Sequence, residues 1–535
     1  MSQPWLPPDG VTRTSEVITV SAGMFKGGEF RCPAADALKT RGYHTADPVP
    51  RRRERLEHFT LGPFMAACDA RFQPSGSPPR TRTAPLHDGL RNWSDHGVKA
   101  YEAAFPADPE RQLTEVTEPW TYRYRPCGPD PRNAEEYRFT AWGRCLTSPD
   151  GAYRELRLPV HRLNRDLPPD GFTAAVALVL AEGTPGPQPE QVRVVEFALF
   201  DGRTRELFAG SRAQALARYR EHGPDALAGV LDGQEYRPGS ACGGCPYLSV
   251  CPALRRAPGL LGVEARDRPR RTWSVTNGRN YRVCPARDHL RRLHLPAADS
   301  VEREVTAERG RALHAYLADR HGHGKPRPCT VEVPEEWVPA GYDLPDHERT
   351  LGALLLRRHA AVCPLRCVGD GTDVRTEPRV VRHDTAADVV VIAAPDLLYR
   401  DADSWVWRET KTSATDRRSD RPLLERYPQL ALAVVLVGRG DLGGAPSRAR
   451  VELEVLRPGG ADLEIIDPFA PANRTAAEGV LREMVADWRG DDHYEALPGR
   501  ACERCEVARW CSASANANAN ANANANAPAT AEVAA

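Results

Sequence analysis

The stretch Ala387-Asp-Val-Val-Val-Ile-Ala-Ala-Pro395-Asp396-Leu-Leu-Tyr-Arg400-Asp-Ala-Asp-Ser404-Trp-Val-Trp-Arg-Glu409-Thr-Lys411 decides the fold. It reads as an apolar strand, a four-residue polar turn and a returning strand. If Arg400 pairs with Trp405, Asp396 falls opposite Glu409, with Cβ atoms about 4.5–5.5 Å apart. Lys411 is two residues beyond Glu409 and shares its face. Two carboxylates and a lysine converge. The carboxylates suit a hard cation such as Mg2+ or Mn2+. The lysine suits the orientation of a water and the stabilisation of developing negative charge, an arrangement fit for metal-assisted phosphodiester hydrolysis. A surface hairpin with cross-strand charges would have a similar composition. The register and the apolar lead-in weigh against it, and so does the lysine itself. Of 72 basic residues only Lys26, Lys39, Lys99, Lys325 and Lys411 are lysine.

Outward from this hairpin the cysteines repeat. Cys502, Cys505 and Cys511 have the spacing C-x2-C-x5-C, and Cys242, Cys245 and Cys251 repeat it. A lone cysteine lies far upstream of each triplet. Cys32 opens Cys-Pro-Ala-Ala-Asp36 and Cys284 opens Cys-Pro-Ala-Arg-Asp288. The segments between agree. Gln191–Phe200 and Ala449–Leu456 read as strands, each followed by a turn, a second strand and a helix. The pattern is an internal duplication at domain scale. Four thiolates per half suit a [4Fe–4S] cluster or a structural zinc ion. A lone cysteine with C-x2-C-x5-C favours the cluster, since zinc fingers use paired C-x2-C knuckles. Each set would tie the first helix of its half to the end of that half. Cys68, Cys127, Cys145, Cys329, Cys363 and Cys367 have no counterparts and read as structural.

Composition bounds the rest. A chain of 535 residues has room for two large domains. The 72 basic and 72 acidic residues cancel, so no global field draws it to nucleic acid or membrane. Mean hydropathy is −0.52, and no apolar run approaches a membrane span. The N-terminus lacks the pattern of a signal peptide, so the chain reads as cytoplasmic, where thiols stay reduced. The alternating Ala-Asn tail, Ala515 to Asn526, reads as disordered.

Pro395-Asp396 with Glu409-x-Lys411, an upstream cysteine and a downstream C-x2-C-x5-C together resemble the RecB-like PD-(D/E)XK iron–sulfur nucleases. That family includes the CRISPR-associated spacer-acquisition exonucleases and the AddB nuclease domain. The resemblance covers about 275–511 well and 20–252 weakly. It implies an α/β fold of two tandem restriction-endonuclease-like domains. Each would be a mixed central sheet flanked by helices and clasped by a four-cysteine cluster. The boundaries would be 1–262 for a degenerate copy, 268–512 for an active one and 513–535 for the tail. It implies His314, in a helix over 307–320, as a metal ligand beside Asp396 and Glu409, with the Thr410 carbonyl as a further one. Lys411 would be catalytic. The implied cofactors are two [4Fe–4S] clusters, on Cys284, Cys502, Cys505 and Cys511 and on Cys32, Cys242, Cys245 and Cys251, with Mg2+ or Mn2+ at the active site. The implied substrate is DNA, as single strands or ends, with a helicase as a candidate partner and no membrane. The family's Gln-x3-Tyr motif is matched only by Gln429. Position 433 is Ala, and Tyr427 lies nearby at another spacing.

In the first half, pairing Thr147 with Ala152 across a turn at Ser148–Gly151 puts Glu155 opposite Arg144, where a metal-binding aspartate would be needed. Arg157 replaces the lysine. This copy is expected to have lost the chemistry. Arg51–Arg55 and Arg268–Arg271 are candidate phosphate contacts. The rival class is a non-catalytic iron–sulfur DNA-binding or scaffold subunit of a repair or defence complex.

Overall fold

The chain separates into two units whose central sheets are both mixed, and the pairing order within each sheet explains where its polar residues gather. The structure is a computed structural model that describes residues 5–46, 60–72, 86–116, 118–264, 268–298, 301, 304–322, 328–366, 368–369, 372–417 and 419–514. Arg51–Arg55, Cys367 and the Ala-Asn tail lie outside the described residues. The first unit comprises 1–254, 290–296 and 510–512. The second comprises 255–289, 297–509 and 513–535.

In the first unit, helix α1 (Pro33–Thr40) follows Cys32. A five-stranded sheet is built from β1 (Thr114–Glu115), β2 (Arg144–Thr147), β3 (Tyr153–Val160), β4 (Gln191–Ala198) and β5 (Thr204–Ser211). Its order is β5-β4-β3-β2-β1, and only β3 and β4 run parallel. A parallel pair needs a crossover, here the apolar helix α2 (Asp170–Glu182), buried from Gly171 to Ala181. Helix α3 (Arg212–Leu231) follows β5. Ser211 caps it, accepting from the Gln214 amide. The β2–β3 hairpin departs from the expected register. Arg144 pairs with Arg157, and Glu155 faces Leu146. The turn is wider than Ser148–Gly151. Asp150 accepts from the Ala152 amide and from the Ser148 hydroxyl, and the Ser148 amide donates to the Tyr153 carbonyl. The turn therefore takes in Ala152, and every later pair shifts.

The second unit repeats this pairing order. Strands β6 (Val374–Thr376), β9 (Leu397–Asp401), β10 (Ser404–Thr412), β11 (Arg450–Arg457) and β12 (Gly460–Ile466) form a sheet in that order. Only β10 and β11 are parallel. Helices α4 (Pro285–Arg292), α5 (Val305–Gly322) and α6 (Asp346–Val362) precede it in the chain. Helix α7 (Pro428–Gly438) is the crossover. Leu430–Val437 are all buried, as a helix apolar on every side must be. Helix α8 (Pro471–Gly490) packs against it.

A second sheet holds β7 (Val380–Asp384) and β8 (Val389–Ala393), with Arg255–Arg256 and Arg271–Trp273 on its edges. The stretch from Ala387 to Arg400 is thus two strands in two sheets, not one, with Asp396 between them. Pro395 has no amide hydrogen to give a ladder, so pairing stops at Ala393 and resumes at Leu397. Residues 255–262, expected to close the first domain, belong here. Ala257, Leu260 and Leu261 are buried in this unit's core. Arg268–Arg271 are taken up internally. Arg271 is buried on the Trp488 and Asp491 carbonyls and Asp492, Arg270 pairs with Asp388, and Arg268 pairs with Asp492.

Asp384 is fully buried and accepts amide hydrogens from Gly259, Leu261 and Ala386 at 2.8, 2.8 and 3.0 Å. Asp384→Ala leaves those donors unpaired in the core. It should lower stability by on the order of 3 kcal/mol, read by urea denaturation with tryptophan fluorescence.

Candidate functional site

The hairpin β9–β10 has the expected register. Leu397 pairs with Arg408 and Arg400 with Trp405, so Asp396, one residue before the ladder, falls opposite Glu409. Because Asp396 sits where the chain passes between sheets, its carboxylate turns onto the start of the hairpin. Oδ2 accepts from the Thr410 amide at 2.7 Å. Oδ1 lies 3.1 Å from His314 Nδ1 on α5. Lys411 Nζ lies 3.4 Å from Asp396 Oδ2, 3.2 Å from Glu409 Oε2 and 2.9 Å from the Thr410 carbonyl. The buried Trp407 indole donates to Glu409 Oε1 at 3.0 Å. The four side chains and the Thr410 carbonyl therefore meet in one cluster.

The electrostatics of the two carboxylates diverge. Burial works against ionisation of Asp396, but the His314 hydrogen bond and charge and the Lys411 ammonium overcome it and draw the group down to about 2. Burial and the Asp396 charge push Glu409 up to about 7, against the pull of Lys411 and Trp407. Burial lowers His314 and Lys411, yet the facing carboxylates leave both raised. One imidazole, two carboxylates and a carbonyl form a donor set for a hard divalent cation.

Gln429 and Tyr427 stand at the start of α7. Arg279 donates to Gln429 Oε1 at 2.5 Å, and burial lowers its guanidinium against the pull of the Glu409 carboxylate. Arg426 donates to the Tyr427 hydroxyl. Ala433, where the family motif has tyrosine, is buried in the core. Sequence reasoning missed Arg279 and Glu377. The Glu377 amide donates to the Asp396 carbonyl at 3.3 Å, and its side chain lines a cavity of about 20 Å3 with His314 and Asp396. Neither belongs to a spacing motif; only the fold brings them here.

The first unit treats the matching strand differently. Glu155, on β3, bonds Arg157 at 2.5 Å, Arg193 at 3.1 Å and the Tyr153 hydroxyl at 3.2 Å. Arg144 pairs with Asp69 and Glu115 instead of Glu155. The expected Arg144–Glu155 contact is replaced by a Glu155–Arg157 one, because the wider turn moves the register. Two guanidinium groups hold the carboxylate.

Cys32, Cys242, Cys245 and Cys251 line one cavity of about 260 Å3, room for a group much larger than one ion. Burial pushes the Cys245 thiol up to about 12. Both triplets fold as paired 3-10 turns, Ser240–Gly244 with Leu248–Val250 and Arg500–Arg504 with Ala508–Trp510. In the second unit the Leu497 amide donates to Cys284 Sγ at 3.3 Å, and burial pushes the Cys505 thiol up to about 11. Cys511 falls in 510–512, which belongs to the first unit. Asp288 of the Cys-Pro-x-x-Asp motif is fully buried and accepts from Asn277 and the Trp488 indole, tying α4 to α8.

A protonated Glu409 cannot ligate, and His314 must also lose its proton, so cation binding releases protons. Mn2+ affinity measured by titration calorimetry should weaken as pH falls below about 7, by about tenfold per unit for Glu409 alone and by about a hundredfold per unit once His314 is protonated as well. A flat affinity from pH 6 to 8 would remove Glu409 from the ligand set.

Comparison with known proteins bears on the second unit. No curated protein matches the chain. One solved structure, described as the crystal structure of SSO0001, aligns at 17% identity over 26% of this chain and 61% of its own, with a TM-score of 0.18. This chain thus spans about three fifths of that structure's length. Residues 272–512, the stretch that carries His314, Asp396, Glu409 and Lys411, match the family model of the PD-(D/E)XK nuclease superfamily.

Proposed function

We propose that the second unit is a Mg2+- or Mn2+-dependent DNA nuclease acting on single strands or ends. In this reading both cysteine sets carry [4Fe–4S] clusters, and the first unit is a duplicated copy without catalytic activity. The observation that carries it is the meeting of His314, Asp396, Glu409 and Lys411 inside the stretch that matches a nuclease superfamily. His314, Asp396, Glu409 and the Thr410 carbonyl hold the cation, which supplies Lewis acidity at the scissile phosphate. Lys411, flanked by two carboxylates, stays protonated at neutral pH. It therefore serves as a fixed cation facing the attacking water and the developing phosphorane charge, where stabilisation raises the rate. Arg279 adds a positive group beside Gln429 and Tyr427 on the approach of a phosphate backbone.

For the first unit, the Arg157 and Arg193 clamp on Glu155 supports loss of metal binding. For the clusters, the shared cavity of Cys32, Cys242, Cys245 and Cys251 supports a polynuclear group. A cytoplasmic setting and a helicase partner remain part of the proposal. Among the described residues, no helix is long and apolar enough to cross a membrane.

The deciding experiment is cleavage of end-labelled single-stranded DNA and RNA with Mn2+, with and without EDTA. The parent should cut DNA only when metal is present. Asp396→Ala should lose at least about 10³-fold in rate while still binding DNA. Lys411→Arg should lose about 10²-fold or more, because a guanidinium is planar, bulkier and differently directed. Parent rates in both variants would take the chemistry away from this hairpin, and a parent that does not cut with Mn2+ would pass the chain to the scaffold class. Glu155→Gln should cut at the parent rate, and a loss there with the fold intact would make the first unit catalytic. Anaerobically purified chain should carry about eight irons with matching acid-labile sulfide; a chain free of iron has no clusters.

A further inference from the structure

A second cluster of metal-ligating side chains lies behind the catalytic hairpin, on residues that the cysteine repeat left over. His321 closes α5, His359 lies in the last turn of α6, Cys363 follows α6, and Cys329 lies on the segment between the two helices. One ligand atom from each lies within 4.8 Å of all the others, and all four residues are buried. We propose that His321, Cys329, His359 and Cys363 bind a structural zinc ion that pins α5 and α6 together beneath the active site.

The geometry is that of a tetrahedral N2S2 site. His321 Nε2 is 3.2 Å from Cys329 Sγ and 3.8 Å from Cys363 Sγ. Bonds of about 2.0–2.1 Å to nitrogen and about 2.3 Å to sulfur require N···S separations of about 3.6 Å, between those two values. His359 is oriented from behind. Its Nδ1 lies 2.7 Å from Glu454 Oε1, while its buried Nε2 has no hydrogen-bond partner. A carboxylate behind a ligating imidazole fixes the ring and raises its basicity. The Cys329 amide donates to Cys363 Sγ at 3.4 Å, an arrangement that favours a thiolate there. Two imidazoles and two sulfurs select zinc and disfavour Mg2+ or Mn2+. The set is too tight and too poor in sulfur for a [4Fe–4S] cluster.

The site also touches the catalytic layer. Glu454 Oε2 accepts from the Thr410 hydroxyl at 3.2 Å, and the Thr410 amide holds Asp396. His321 and His314 are seven residues apart on α5, about two helical turns, and so share a face. The ion would therefore fix the helix that presents His314. The sequence held a signal, since His359-x3-Cys363 places two ligands one turn apart at a helix end.

The test uses the full chain, and its readout does not depend on DNA cleavage. Protein from zinc-supplemented medium should contain about one tightly held zinc per chain. X-ray absorption at the zinc edge should fit two nitrogens near 2.0 Å and two sulfurs near 2.3 Å. Cys363→Ser should lose the zinc, keep its iron and sulfide, and melt at a lower temperature. If that variant does not fold, cobalt-exchanged parent supplies the second measurement. It should show thiolate-to-cobalt charge transfer and the intense visible bands of tetrahedral cobalt. A zinc shell of sulfur alone would assign the metal to the four-cysteine sets and overturn the proposal. Folded parent without zinc, or Cys363→Ser that retains it, would do so as well.

Discussion

Two carboxylates held a strand apart repel each other, and the architecture around Asp396 and Glu409 is organised by that repulsion. Lys411 stands between them, within 3.4 Å of one and 3.2 Å of the other. His314 meets the other oxygen of Asp396, the Thr410 amide donates to the same oxygen as Lys411, and the Trp407 indole donates to Glu409. The helix that brings His314, the strand that brings Trp407 and Lys411, and the sheet change that frees Asp396 all serve this one arrangement. Unequal sharing of the donors leaves Asp396 readily ionised and Glu409 reluctant.

The first unit meets the same constraint in the opposite way. Its sheet has the same sequence of pairings, antiparallel, antiparallel, parallel, antiparallel. Its third strand also carries a buried glutamate, Glu155, as the third strand of the other sheet carries Glu409, but the partners of Glu155 are Arg157 and Arg193. A lone carboxylate clamped by two guanidinium groups has no charge left for a cation to neutralise. One strand order therefore supports a charge-hungry site in one unit and a sealed ion-pair cluster in the other.

What the sequence disclosed follows from the range of the interactions concerned. The β9–β10 register was legible because the hairpin is closed by a tight turn and any slip would flip every side chain. The β2–β3 register was misread because one side chain, Asp150, draws Ala152 into the turn, and no hydrophobic pattern records such a capture. The break at Pro395 was visible as a proline but not as a change of sheet, since both flanking runs are equally apolar. Cys329 and Cys363 have no counterpart in the cysteine repeat, so the repeat gives no sign of their role. Their partners His321 and His359 come from helix ends that only tertiary packing brings together. Arg279 and Glu377 carry no spacing signal at all.

The parallel ladder between Val406–Thr412 and Arg450–Leu456 also sets an order of events. The strand bearing Glu409 and Lys411 gains its second neighbour only from residues 44 positions further along the chain. At ~5–20 residues per second that segment follows on the ribosome about 2 to 9 s later. Until then the strand bearing Glu409 and Lys411 is an open edge, and α7 lacks β11, one of the two strands on which it packs. Cys502, Cys505 and Cys511 emerge later still. A nascent chain therefore emerges with its acidic pair laid out along a hairpin that lacks this neighbour, and the strand gains its parallel support only once residues 450–456 have followed.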